Sequence, residues 1–158
     1  MTDQPYRVVF VCWGNICRSP MAERMAEQAA EDAGVTGVEF TSAGVSTEES
    51  GNPIDPRAQQ VLNSHGCRTD DHAAHKITAD EAADADLIIC MEDIHADRVR
   101  SMIDNNDHVR LLTDLDPDAE PGSGVPDPWY GADSGFDDTW AALAAAMPGI
   151  LDEIRTSR

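Results

Sequence analysis

The sequence predicts an α/β fold: a single domain over residues 1–158, with a four-stranded parallel sheet and helices on both faces. Three observations predict it. Short β-branched runs alternate with helical stretches along the whole chain. The runs at 6–11 and 87–91 are almost continuously apolar, as in strands covered on both faces. The 158 residues, 41% of them hydrophobic, suit one core, and no repeat, linker or composition break marks a second domain.

The elements follow in order. Tyr6 to Val11 is β-branched and aromatic and reads as a buried strand. Ser19 is a good N-cap and Pro20 suits the first helical position. Met21, Met25, Ala29 and Ala33 then repeat every four residues, and Gly34 closes the helix. Val38 to Thr41 is a second strand, ended by Ser42-Ala43-Gly44. Residues 45–53 are polar, with Gly51 and Pro53, and read as a loop. Pro56 to Ser64 is a helix closed by His65-Gly66. Leu87 to Met91 is the clearest buried strand. Asp93 to Asn105 is a helix, and Val109 to Leu112 a short fourth strand. Residues 113–133 are rich in Asp, Pro and Gly, an irregular length of the kind that carries function. Ser134 to Arg155 is the last helix, with an interruption expected at Pro148-Gly149.

Thirty acidic residues stand against eleven basic ones, a formal charge of −19, and Lys76 is the one lysine. Such a field repels nucleic acid and anionic membrane, so neither is an expected partner. Adaptation to high salt and a biased base composition explain the excess equally well. No apolar run approaches the ~20 residues of a membrane span. Met1 to Pro5 has no cationic segment ahead of an apolar one, so no secretory signal is expected and the expectation is a cytoplasmic chain. Cys12, Cys17, Cys67 and Cys90 match no zinc spacing, so reduced thiols are expected, one of them reactive, with no metal and no cofactor.

Ligands of open parallel sheets sit beyond the carboxyl ends of the strands. There the first strand runs into Cys12-Trp13-Gly14-Asn15-Ile16-Cys17-Arg18-Ser19. A loop of that length, leading into a helix N-terminus, can turn backbone N–H groups inward and hold an anion without a lysine. Gly14 and Asn15 tolerate positive φ. Arg18 can grip two phosphate oxygens. Cys12, at the base, would feel the loop amides, the helix end and the guanidinium, and all three favour a nucleophilic sulfur. A leaving oxygen then needs an acid. Asp127, stiffened by Pro126 and Pro128 and followed by Trp129 and Tyr130, is the candidate, because two aromatics beside it can wall a cleft.

Residues 11–23, Val-Cys-Trp-Gly-Asn-Ile-Cys-Arg-Ser-Pro-Met-Ala-Glu, resemble the signature of the low-molecular-weight protein tyrosine phosphatases, and Asp127-Pro128-Trp129-Tyr130-Gly131 is similar to that family's acid loop. Asp55-Pro56-Arg57-Ala58, His65-Gly66, residues 87–91 and the Asp133–Asp137 segment fit in order. The resemblance implies a phosphotyrosine-containing protein substrate, a chain acting as a monomer or weak dimer, and no metal. It implies Cys12 as the nucleophile that forms a phosphocysteine, Arg18 as the phosphoryl-binding cation, and Asp127 as general acid and then base. Trp13, Gly14, Asn15, Ile16, Cys17 and Arg18 would supply the phosphate-binding amides. Ser19 would bond the Cys12 sulfur, and Asn15 would be held left-handed by a network reaching Ser42 and His72. Trp13, Trp129 and Tyr130 would flank the substrate ring, and Cys17 would bridge to Cys12 under oxidation.

Some positions depart from the family's pattern. Trp13 stands where a smaller residue is usual, and Trp129 where tyrosine is. His75 replaces an expected arginine, so an ion pair is lost or replaced. The Glu48-Glu49-Ser50 stretch lacks an aromatic, and its acidic rim should disfavour acidic phosphopeptides. Cys90 reads as a core thiol and Cys67 as a half-exposed one. His65 reads as a helix-end cap, and Phe136 and Trp140 as core. Two rivals remain at this stage: an arsenate reductase on the same fold, which needs two further neighbouring cysteines, and a catalytically idle phosphopeptide-binding protein.

Overall fold

The computed structural model describes residues 4–104, 106–120, 122–128 and 135–157. Strand β1 (Tyr6–Cys12) lies between β2 (Val38–Gly44) and β3 (Leu87–Cys90), and β4 (Val109–Leu111) completes a four-stranded sheet in the order β2-β1-β3-β4. Every pairing is parallel, with Cys12 opposite Gly44 and Val11 opposite Cys90. The helices are α1 (Arg18–Ala33), α2 (Pro56–Ser64), α3 (Ala79–Asp84), α4 (Asp93–Arg100) and α5 (Gly135–Ser157).

The period-2 alternation of β1 explains the two layers. Val8, Phe10 and Cys12 point into a core shared with α1, α2 and α5, while Val9 and Val11 point into a second core with Ala82 of α3 and Ala96 and Val99 of α4. Both faces of the sheet are therefore covered, as its apolar strands require.

Several elements differ from expectation. α1 begins at Arg18, and Cys17 occupies its N-cap with no side-chain bond. Ser19 does not cap the helix because its hydroxyl is engaged with Cys12 and Asn15. α3 was not expected: it is six residues long, buries Ala82 alone and is held by a Thr78–Glu81 capping box. α4 stops at Arg100 instead of running to residue 105. α5 passes through Pro148 without a break. A short 3₁₀ turn, Leu112–Leu115, follows β4.

Strand order reverses between β1 and β3, since β1 leads outward to β2 and β3 leads outward to β4. The crevice at that switch point opens at Cys12 on one side and at Met91-Glu92 on the other.

Candidate active site

A cavity of about 110 Å³ opens at this switch point and is lined by Cys12, Gly14, Arg18, Glu49 and Asp127, with Trp13 at its rim. Cys12 is 2% exposed and Asn15 fully buried. The Asn15 N–H points at Cys12 Sγ at 3.3 Å, so at least this loop amide is turned inward. Asn15 has φ 63°. Its side chain holds it there: Nδ2 donates to Ser19 Oγ at 2.9 Å and to Ser42 Oγ at 3.0 Å, and Oδ1 accepts from His75 N–H at 3.1 Å. His72 Nε2 donates to the Asn15 carbonyl at 2.7 Å. Asn15 thus sits behind the loop rather than in the cavity wall, which its neighbours line.

The network is directional. Ser19 Oγ accepts from Asn15, which leaves its proton for Cys12 Sγ, 3.0 Å away. Ser42 likewise accepts from Asn15 and donates to Glu23 Oε1 at 2.7 Å. Glu23 is 8% exposed, and burial pushes its carboxyl above its ordinary value, offset in part by Ser42 and Arg24. Burial also lowers His72, offset in part by its bond to the Asn15 carbonyl. Gly44 lets the sheet close on the loop: a Cβ there would stand 2.7 Å from the Trp13 carbonyl oxygen.

Arg18 is 2% exposed at the start of α1. Its Nη1 donates to the Glu92 carboxylate and, at 2.7 Å, to the Val125 carbonyl, while Nη2 lies 3.6 Å from Asp127 Oδ2. Val125 is in turn pinned to the end of β3, its N–H donating to Met91 O at 2.7 Å. One guanidinium therefore ties the loop after β1 to the segment after β3 and to Asp127. Glu92 is fixed from behind, because its N–H donates to His95 Nδ1 at 3.1 Å. His95 is 1% exposed, and burial, with Arg18 and Arg98 nearby, lowers it to about 3, so it stays neutral and able to accept.

The remaining expectations divide. Cys17 also lines the cavity, and burial raises its thiol well above the ordinary range, reinforced by Asp55. Cys90 is fully buried and pushed up to about 12 by burial. Cys67 is not half-exposed but 5% exposed, tucked under the end of α2 beside Met25 and Met147. Phe136 is core, but Trp140 is half-buried and stacks on His65, the C-cap of α2, with ring centroids 3.8 Å apart. At position 75, where an arginine was expected, His75 Nε2 makes a 2.8 Å hydrogen bond with Glu81. Trp129, Tyr130 and Asp133 lie outside the described residues. Sequence reasoning missed Glu92 and His95. The signal for Glu92 was its place directly after the carboxyl end of a buried strand, beside the switch point. Among the described residues no group of His, Cys, Asp and Glu is placed to hold a metal ion.

Residues 7–158 match the family described as low molecular weight phosphotyrosine protein phosphatase. The chain is 40% identical over 154 residues to low molecular weight protein-tyrosine phosphatase A of Mycobacterium tuberculosis, covering 96% of this chain and 93% of that protein. It is 39% identical over 155 residues to the low molecular weight protein-tyrosine-phosphatase of Streptomyces coelicolor, covering 95% and 94%. The crystal structure of YfkJ from Bacillus subtilis superposes with a TM-score of 0.91 at 30% identity, over 98% of both chains. Fold, switch-point loop and whole-chain similarity agree, and the chain belongs to the low-molecular-weight phosphotyrosine protein phosphatases.

Proposed function

We propose that this phosphatase works through a phosphocysteine on Cys12, with Arg18 as the phosphoryl anchor and Asp127 as acid and base. The observation that carries the reading is the single cavity that joins Cys12, Arg18 and Asp127. Cys12 Sγ attacks phosphorus in line, the bond to the tyrosyl oxygen breaks, and Asp127 gives that oxygen a proton. Water then attacks the phosphocysteine, Asp127 takes its proton, and Sγ leaves with inorganic phosphate formed. The Ser19 hydroxyl, 3.0 Å from Sγ, donates to the departing sulfur and stabilises it. The substrate is a phosphotyrosine-containing protein, and the chemistry as written needs no cofactor.

Cys17 belongs to the same reading as the resolving thiol. Peroxide would convert Cys12 to a sulfenic acid, and Cys17 would displace water from it to form a disulfide. A cytoplasmic setting suits four free thiols. Support for the reductase rival is weak. Cys67 packs in the core with α1 and α2, and Cys90 in the other core across the sheet, so no neighbouring pair exists to relay a disulfide.

Kinetics with aryl phosphates of graded leaving group test the roles. Cys12→Ser is expected to lose turnover by about a thousandfold or more. Asp127→Asn is expected to slow poor leaving groups by about a hundredfold and good ones far less. Equal losses across the series would remove Asp127 from the role of acid, and near-normal turnover by Cys12→Ser would overturn the mechanism.

A further inference from the structure

A second cavity, of about 170 Å³, lies beside the catalytic one between α4 and residues 76–77, with Val45, Ile77 and Met102 as its apolar lining and Lys76 and Arg98 as its charged one. Trp13 separates the two: its ring lies under the Arg98 guanidinium, 4.8 Å from ring centroid to Cζ, and it lines the catalytic cleft. Lys76 is fixed by the sheet. Its neighbours bond Gly44 from both sides, Gly44 N–H to His75 O and Ile77 N–H to Gly44 O, each at 2.8 Å. Gly44 is itself opposite Cys12. Two strand spacings thus separate Lys76 from the nucleophile, about 10 Å between backbones.

The charges of this cavity are unusual for the molecule. In a chain of thirty acidic residues, every other cationic side chain among the described residues lies against a carboxylate, from Arg7 on Glu39 to Arg155 on Asp152. Lys76 and Arg98 alone do not, and both are exposed. An excess of acid that neutralises the other described cations leaves these two without a carboxylate partner, lining one cavity with an apolar floor. Meanwhile Glu48 and Glu49 line the catalytic cleft, so its surroundings carry carboxylates on one flank and cations on another.

The geometry points to a subsite for a carboxylate carried by the substrate: Lys76 and Arg98 receive an aspartyl or glutamyl side chain one to three residues from the phosphotyrosine. Three extended residues span about 10 Å, which matches the separation from Cys12. The methylenes of such a side chain suit the apolar floor while its carboxylate meets the cations. A uniformly acidic rim would reject acidic peptides, and this pair makes a local exception. The assignment rests on the phosphotyrosine reading above and adds to it the class of peptide the site prefers.

The test is a set of phosphotyrosine peptides with a single Glu or Gln placed in turn from three residues before to three after the phosphotyrosine. The readout is the Glu/Gln ratio of kcat/KM at each position, so any general loss of activity in a variant cancels. At low salt the wild type is expected to favour Glu about fivefold at one position, mainly through KM, and to lose the preference in molar salt. Lys76→Gln and Arg98→Gln should each lower the ratio, and the double variant should bring it to about one. A wild-type ratio of one at every position, or one untouched by the double variant, overturns the subsite while leaving phosphotyrosine hydrolysis intact. Failure to hydrolyse the Gln peptides at all would instead overturn the underlying reading. Sulfate that stimulates Gln-peptide turnover in the wild type but not in the double variant would assign the cavity to a free anion, and so overturn the substrate-borne carboxylate.

Discussion

Asn15 is the residue on which the loop turns. A non-glycine at positive φ carries strain of roughly 1–2 kcal/mol, and three side-chain bonds with a fourth to its carbonyl hold it there. His95 plays the corresponding part on the other side of the crevice, where its unprotonated Nδ1 fixes Glu92 and so Arg18. That dependence gives a pH prediction with a definite sign. The folded state holds His95 at about 3, below the ordinary value near 6.5, so the unfolded chain binds the extra proton between those limits. Stability from this group is full above pH 6.5 and is lost as pH falls through the window. Urea unfolding at pH 7.5 and 5.5 is expected to show a fall of about 1 kcal/mol from His95. The fall should shrink by that amount in His95→Gln, and an unchanged fall would refute the assignment. The Cys12–Arg18 loop and Asp127, which the fold brings to one cavity, were legible because spacing and proline context single them out. Glu23 and His95 were not, because nothing local marks either until the chain is folded, and Glu92 carried only the mark of its place after a buried strand.

At the scale of elements, α5 holds the clearest departure from sequence expectation. Pro148 lacks an amide for the helix ladder and Gly149 is a weak helix former, so the pair reads as a break. In the fold the pair serves close packing. A Cβ on Gly149 would stand 1.8 Å from the Leu115 carbonyl oxygen, so α5 lies backbone to backbone on the turn after β4. Gly149→Ala should therefore cost at least about 3 kcal/mol despite the better helix propensity of alanine, and lower Tm by about 10 °C. A neutral or stabilising effect would show that α5 can shift away from that turn. The strands and α1 were readable because apolar runs and a four-residue stripe record burial directly. α3 was not, since one buried alanine in six residues leaves no period to detect. α4 was read too long because Met102 and Ile103 continue an apolar pattern, but they pack against the α3–α4 core from outside the helix.

The whole molecule carries −19, and most of its carboxylates face water. Self-repulsion of that size is screened within a few ångströms in molar salt. Tm is expected to rise by several degrees between 0.05 and 1 M KCl. A Tm that stays fixed would assign the acidic excess to composition alone. The same charge bears on an edge of the sheet. β4 ends the sheet with only three residues, but β2 presents seven, and among the described residues only its last, Gly44, is bridged on its outer edge, by the strand-like segment around Lys76. Uncovered strand edges pair with one another between molecules unless something keeps them apart. Along the rest of β2 no strand pairs with the outer edge among the described residues, and mutual repulsion between whole molecules acts as a barrier. Salt that tightens each fold therefore also lets two β2 edges approach, so the ionic strength of greatest stability lies above that of greatest solubility.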